Sequence, residues 1–203
     1  MKEVIYKVVS NQKIARDVFK MILSGDTSAI TAPGQFVNLK LDGFYLRRPI
    51  SVCDCSPDSI TLIYKVVGGG TELMSELEPG TEINTLSGLG NGYNLGKSGE
   101  RPLLVGGGVG VPPLYKLCRE LVAKGVKPTV VMGFNSRDDV FYEQEFKDLG
   151  ADVYVATADG SYGEKGFVTD IIKRLDYPFF FTCGPEPMFR AMSKVMKTPG
   201  QYS

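Results

Sequence analysis

The stretch Leu104-Val105-Gly106-Gly107-Gly108-Val109-Gly110-Val111-Pro112-Pro113 decides how the C-terminal half of the chain is read. It continues the compact apolar run Pro102-Leu103-Leu104-Val105, which has the character of a strand. It opens a segment, about Pro113 to Lys124, with the pattern of a helix. A glycine-rich turn between a strand and a helix is the setting of a dinucleotide loop. Glycines let the main chain approach a pyrophosphate, and the helix start supplies N–H donors and a positive dipole. The glycine run Gly106–Gly110 is therefore a candidate nucleotide loop. Pro113 stands where a Rossmann fingerprint has its third glycine, so the string read alone also describes a tight strand-to-helix turn.

The flanking segments favour the nucleotide reading. Strand-like runs at Pro128–Met132, Ala151–Thr157 and Pro178–Thr182 alternate with helical patterns at Gln144–Leu149, Val168–Leu175 and Pro187–Met196. That β-α rhythm predicts a doubly wound parallel sheet. Open sheets of this kind bind ligands at the carboxyl ends of their strands. Cys183-Gly184-Pro185-Glu186-Pro187-Met188 falls at such an end, after Phe179-Phe180-Phe181-Thr182. Its thiol reads either as a ligand contact or as a small buried hydrophobe before a turn. Asn135-Ser136-Arg137-Asp138-Asp139 follows the second strand, where the ribose of a dinucleotide lands, and reads otherwise as a solvated loop.

The first half has a different rhythm. Val4–Val9, Asp17–Leu23, Gln35–Leu41, Ile50–Cys53 and Ser59–Val67 are short, β-branched or aromatic and divided by turn residues, as in a sandwich or barrel. A short helix is expected after Thr71, with Leu73, Met74 and Leu77 on one face, and Pro79-Gly80 ends it. Thr81–Leu86 is the expected last strand. The glycine-rich stretch Ser87–Gly99 marks the boundary, giving domains over 1–97 and 98–203. Within the first domain, Arg47-Arg48-Pro49-Ile50-Ser51 offers an arginine for a diphosphate and a serine for a heterocycle edge, or simply a basic strand end. Ile63-Tyr64-Lys65-Val66-Val67-Gly68-Gly69-Gly70-Thr71 offers a strand, a glycine run and a helix cap, a second phosphate-shaped arrangement or a flexible turn.

Composition narrows the chemistry. The 203 residues hold 23 basic and 23 acidic side chains, so bulk charge courts neither nucleic acid nor an anionic membrane. There is no histidine, which removes histidine-based triads, proton shuttles and haem ligation. The four cysteines, Cys53, Cys55, Cys118 and Cys183, form no C-x-x-C pair, and Cys53-x-Cys55 lacks partners for a metal site, so no metal-ligating residue is assigned. Neither a signal peptide nor a run of about 20 apolar residues is present, which predicts a cytoplasmic, soluble protein with reduced thiols.

Taken in order, these motifs, with Leu89-Gly90-Asn91-Gly92 and Asp159-Gly160-Ser161-Tyr162-Gly163-Glu164-Lys165-Gly166 between them, resemble the ferredoxin–NADP reductase superfamily over essentially the whole chain. Within it the chain looks most like the electron-transfer subunits of bacterial dihydroorotate dehydrogenases of the iron–sulfur flavoprotein type. The resemblance implies an N-terminal antiparallel Greek-key barrel that binds FAD and a C-terminal α/β domain that binds NAD(H). By position, Arg48 would neutralise the FAD diphosphate, with Pro49 and Ile50 beside it. Ser51 would contact the isoalloxazine, and Ile63, Tyr64 and Lys65 would line the flavin and ribityl side. Gly70 and Thr71 would cap the diphosphate. The superfamily's usual tyrosine is replaced here by Ile50, leaving Tyr64 as a source of ring stacking. Gly108, Gly110, Val111 and Pro112 would hold the pyridine dinucleotide, and Asn135 and Arg137 would meet its ribose. Cys183, flanked by Gly184, Pro185 and Met188, would sit at the nicotinamide, so Cys183 and Ser51 are the catalytic contacts implied.

The resemblance further implies a heteromer with a catalytic dehydrogenase subunit carrying FMN, which oxidises dihydroorotate in pyrimidine biosynthesis and sends electrons to NAD+. Asp138 and Asp139 would disfavour a 2′-phosphate, whereas Arg137 would favour one. Family members continue into a four-cysteine run that ligates a 2Fe–2S cluster, and the spacing of the cysteines here does not fit one. No cluster is therefore expected on these residues. Sibling subunits of sulfide dehydrogenase, hydrogenase or ferredoxin–NADP complexes, and a non-redox nucleotide-binding module, are the competing readings.

Overall fold

The computed structural model describes residues 1–203, which divide into two compact units, Met1–Gly92 and Tyr93–Ser203. The dividing point lies five residues before the expected 97/98. Tyr93 is buried and its hydroxyl donates to the Thr182 carbonyl, so it belongs to the second unit.

In the first unit, β1 (Lys2–Ala15), β2 (Val18–Ser24), β3 (Phe36–Leu39), β4 (Arg48–Cys55), β5 (Ser59–Lys65) and β6 (Glu82–Leu89) close into an antiparallel barrel. Their order around it is β1-β2-β5-β4-β3-β6, the Greek-key barrel expected. Alternation explains the core: Val4, Tyr6 and Val8 of β1 point inward while their neighbours face out, and they meet Leu23, Leu39, Leu62 and Ile83. β1 runs six residues beyond the expected Val9. Its polar tail Ser10–Ala15 stays paired with β2 through two register shifts, a bent hairpin arm that hydrophobic alternation does not mark. Helix α1 (Gly69–Ser75) starts three residues earlier than expected, and Met74 joins the barrel core.

In the second unit, β7 (Leu103–Gly107), α2 (Pro113–Ala123), β8 (Thr129–Phe134), α3 (Glu143–Asp148), β9 (Asp152–Thr157), β10 (Glu164–Lys165), α4 (Val168–Ile172), β11 (Phe180–Cys183), α5 (Glu186–Met192) and β12 (Gly200–Tyr202) build one parallel sheet with its helices. The strand order is β10-β9-β8-β7-β11-β12. Leu103, Val105, Val131, Ala156 and Phe180 cluster on one face with Val168, Ile171 and Ile172 of α4 and Met192 of α5. α2 buries Leu114, Leu117, Cys118 and Leu121. The edge strands β10 and β12, of two and three residues, are too short to show a period and were not expected. α4 and α5 end at Ile172 and Met192 rather than at Leu175 and Met196, each giving way to shorter i→i+3 bonds.

The order reverses between β7 and β11: β8, β9 and β10 extend one way from β7, and β11 and β12 the other. A crevice forms at the carboxyl ends of the strands at such a switch point. The glycine turn after β7 and the Cys183 turn after β11 both lie there.

Candidate functional site

On the second unit, Cys183 pairs with Gly106 as the last rung between β11 and β7. The chain beyond Gly107 makes one 3₁₀ turn, Gly108–Gly110, before α2. A Cβ on Gly110 would lie 2.2 Å from the Cys183 carbonyl oxygen and 2.7 Å from the Gly184 Cα. One on Gly184 would lie 2.4 Å from Cε of Met188. These glycines therefore let two protein turns interlock, whereas at Gly108 a Cβ would meet nothing within 4 Å and φ is +51°. Gly108 thus leaves bare backbone open at this turn. Val111 is buried against Gly106, and Pro112 and Pro113 lack N–H groups, so donors at this mouth come from the glycine turn rather than from the first residues of α2.

Cys183 is part-buried, and burial pushes its thiol up to about 11. It is a neutral, polarisable contact at neutral pH, not a thiolate nucleophile. Pro185 and Met188 flank it, with Met188 Sδ close to the Gly107 main chain.

The ends of β8 and β9 meet in a second cluster. Arg137 lies over the Tyr162 ring, 5.4 Å from its centroid, and its amide donates to Ser161 Oγ at 2.8 Å. Ser161 donates to Asp159 through its hydroxyl at 2.6 Å and its amide at 2.9 Å, which holds that carboxyl below the usual range. Asn135 is exposed beside them, and its carbonyl accepts from the Asp159 amide. Asp139 is buried and accepts from the amide and hydroxyl of Ser136. Its carboxylate is spent on its own turn, whereas Asp138 and Asp159 are exposed at this end. Sequence reasoning does not single out Asp159, although the Asp-Gly-Ser spacing of an Asx turn is visible in it.

On the first unit, the Arg48 guanidinium lies over the Phe44 ring at 4.7 Å from its centroid and donates to the Leu46 carbonyl. It crosses the turn that opens α1, so that a Cβ on Gly70 would come within 2.0 Å of Arg48 Nε. Thr71 Oγ1 accepts from the amides of Val67 and Gly68 and donates to the Gly68 carbonyl. Its hydroxyl shapes the turn and is already engaged. Ser51 stands opposite Phe36, and Pro49 opposite Asn38. Ile50 is part-buried, Ile63 is buried facing away from the Tyr64 side of β5, and Lys65 ends the strand. The Tyr64 ring is 2% exposed in the barrel core, with its hydroxyl donating to Asn11 and its ring stacked on Phe19. It is committed to packing, so the ring stacking that sequence allowed for it has no surface from which to act.

These arrangements fit the two dinucleotides. One unit presents an unpaired cationic fork over a glycine turn, and the other an open glycine turn beside a neutral thiol. The cysteines do not fit an iron–sulfur cluster: Cys53 and Cys118 are buried, and no group of three or more metal-ligating side chains forms. No helix is long and apolar enough to cross a membrane.

Barrel, parallel sheet and paired dinucleotide turns define an FAD- and NAD(H)-dependent oxidoreductase of the ferredoxin-reductase-like class. Residues 104–194 match the oxidoreductase NAD-binding domain. A structure described as an NADH-dependent reduced ferredoxin-NADP oxidoreductase, bearing on flavin-based electron bifurcation, superposes with TM-score 0.86 at 30% identity, covering 98% of this chain and 75% of that one. The dihydroorotate dehydrogenase B (NAD(+)) electron transfer subunit of Geobacillus sp. (strain WCH70) is 45% identical over 212 residues, 100% of this chain and 82% of its own. That of Shouchella clausii (strain KSM-K16) is 46% identical over 196 residues, 92% and 75%. The chain belongs to this family of dihydroorotate dehydrogenase B electron transfer subunits, and functions in a complex with a catalytic dehydrogenase subunit.

Proposed function

We infer that this subunit passes electrons from dihydroorotate oxidation on an FMN-carrying partner to NAD+, in the cytoplasm, with FAD held by the 1–97 domain and NAD(H) by the 98–203 domain. The observation that carries the reading is the pair of interlocked turns at the β7–β11 switch point, which sets a neutral thiol beside an open glycine turn. Bound FAD and NAD(H) supply hydride transfer, and the residues of this chain bind, orient and shield them.

Arg48 neutralises the FAD diphosphate over the Gly70 turn that Thr71 shapes, and Ser51 offers a hydroxyl to the flavin edge. The Ile63 and Lys65 main chain, with Ile50 and Pro49, lines that side. Gly108 seats the NAD pyrophosphate, with Gly110, Val111 and Pro112 fixing the turn from behind. Asn135 and Arg137 meet the adenosine end. Cys183 meets the nicotinamide, and Gly184, Pro185 and Met188 hold its turn. No step here needs a strong base, in keeping with the lack of histidine.

Cys183→Ser slows flavin reduction by NADH about tenfold, a loss of about 1.4 kcal/mol of transition-state stabilisation, with little change in NADH affinity. Rapid-mixing absorbance separates the two, and unchanged reduction kinetics reject the assignment. NADH is preferred over NADPH, because the exposed carboxylates Asp138 and Asp159 face a 2′-phosphate with like charge. Asp159→Asn narrows that preference, read as the ratio of kcat/KM for the two nucleotides. A ratio unmoved by the substitution removes Asp159 from the discrimination.

A second reading, a subunit of a ferredoxin–NADP complex, draws on the 30% identical structure. Dihydroorotate-dependent NAD+ reduction by the assembled complex distinguishes the two, since only the first reading predicts it.

A further inference from the structure

Thr182 is fully buried immediately before Cys183 and joins three parts of the second unit. Its hydroxyl donates to the Val105 carbonyl at 2.9 Å, on the rung directly preceding the Cys183–Gly106 pair. Its own carbonyl accepts two bonds, from the Tyr93 hydroxyl at 3.2 Å and from the Ser203 amide at 3.0 Å. The Tyr93 ring stands edge-on to Phe181, with centroids 5.5 Å apart. Burial drives the Tyr93 hydroxyl above its ordinary range, so it remains a proton donor at any working pH.

The strand ladder alone leaves the last rung of β11 free to fray, because the next residues turn away. The Thr182 hydroxyl adds a side-chain bond to β7 one rung before the Cys183–Gly106 pair. The Tyr93 hydroxyl holds the opposite, carbonyl side of the same residue. Displacing Thr182 therefore moves two things together: the Cys183 thiol, and, through the close Gly110–Cys183 approach, the dinucleotide turn.

We propose that Thr182 and Tyr93 are positioning residues that fix Cys183 against the glycine turn and so set the alignment of the nicotinamide for hydride transfer. The proposal rests on the reading of Cys183 as the nicotinamide contact. Its reach follows from the steep dependence of hydride transfer on alignment.

The test is anaerobic rapid-mixing reduction of the FAD-loaded full chain by NADH. Thr182→Val keeps the shape and loses the donor. It lowers the limiting reduction rate about tenfold while half-saturating NADH stays within about twofold. Thr182→Ser, which keeps the hydroxyl, returns the rate to within about twofold of the unsubstituted protein. Tyr93→Phe lowers the rate about threefold with flavin content unchanged, and carries the test if Thr182→Val does not fold. Because part of the effect runs through the Cys183 thiol, the loss in T182V/C183S is smaller than the product of the two single losses.

A limiting rate unchanged in both Thr182→Val and Tyr93→Phe overturns the proposal. So does a Thr182→Ser as slow as Thr182→Val, a loss confined to NADH affinity, or additive rates in the double variant. With C183S slow, any of these outcomes removes the proposal alone. If C183S is as fast as the unsubstituted protein, the reading of Cys183 falls and the proposal with it.

Discussion

Gly110→Ala abolishes reduction of the flavin by NADH, by about 100-fold or more, while the barrel still retains FAD. The expectation is steric. The added methyl would lie 2.2 Å from the Cys183 carbonyl oxygen and 2.5 Å from its carbonyl carbon. Both are main-chain atoms at the last rung between β11 and β7, so neither yields by rotating a side chain. The 3₁₀ turn or the Cys183 turn has to move, and each is assigned to the NAD(H) site. Gly110 lies outside the positive-φ region, so backbone conformation is not the obstacle and the loss reports space alone. The control is Gly108→Ala, where a Cβ meets no protein atom and the cost lies in the φ of +51° and in approach to the ligand. Flavin content by absorbance, together with the NADH reduction rate, checks the prediction. A Gly110→Ala protein reduced at the normal rate would show that the two turns are not held together as described.

Arg48→Ala weakens FAD binding by about 10- to 150-fold, the value of a charge-assisted hydrogen bond worth about 1.5–3 kcal/mol. The guanidinium lies over the Phe44 ring and donates to one main-chain carbonyl, and no carboxylate pairs with it. Its remaining N–H groups are free for a diphosphate. The side chain is also preset: the absence of a Cβ at Gly70 lets it lie across the turn that opens α1. Arg48→Lys recovers the charge but not the planar fork, and regains only part of the affinity. Gly70→Ala pushes the guanidinium off the turn and reproduces much of the Arg48→Ala loss with the arginine still present. The barrel core does not include Arg48, so thermal stability of the FAD-free protein stays within about 0.5 kcal/mol. FAD titration by flavin fluorescence reads the affinity, and an Arg48→Ala protein with undiminished affinity would place the diphosphate elsewhere.

The architecture was legible where burial writes a period into the sequence. Val4, Tyr6 and Val8 announce an inward-facing strand, and Leu103–Val105 a buried parallel one. It was illegible where pairing, not burial, makes the strand: the polar arm Ser10–Ala15, and the edge strands at Glu164 and Gly200. The glycine turn at 106–110 was visible, but its division of labour was not. A glycine that faces a ligand and one that faces a neighbouring main chain look alike in sequence, and only the fold shows Gly108 open and Gly110 pressed on Cys183.

Side-chain direction was the other blind spot. Tyr64 and Asp139 have residue types suited to a cofactor site, yet one ring fills the barrel and one carboxylate caps its own turn. Thr182 had no motif at all. Its role comes from the neighbours it joins, Val105 and Tyr93, which lie 77 and 89 residues away in the chain.

We propose that this chain carries FAD on one unit and accepts NAD(H) on the other. Anaerobic titration of the FAD-reconstituted chain with NADH tests it most directly. The expected result is a yellow protein whose flavin absorption bleaches in proportion to NADH added, reaching completion near one NADH per flavin. A chain that retains no flavin, or one whose bound flavin keeps its absorption in excess NADH, would contradict it.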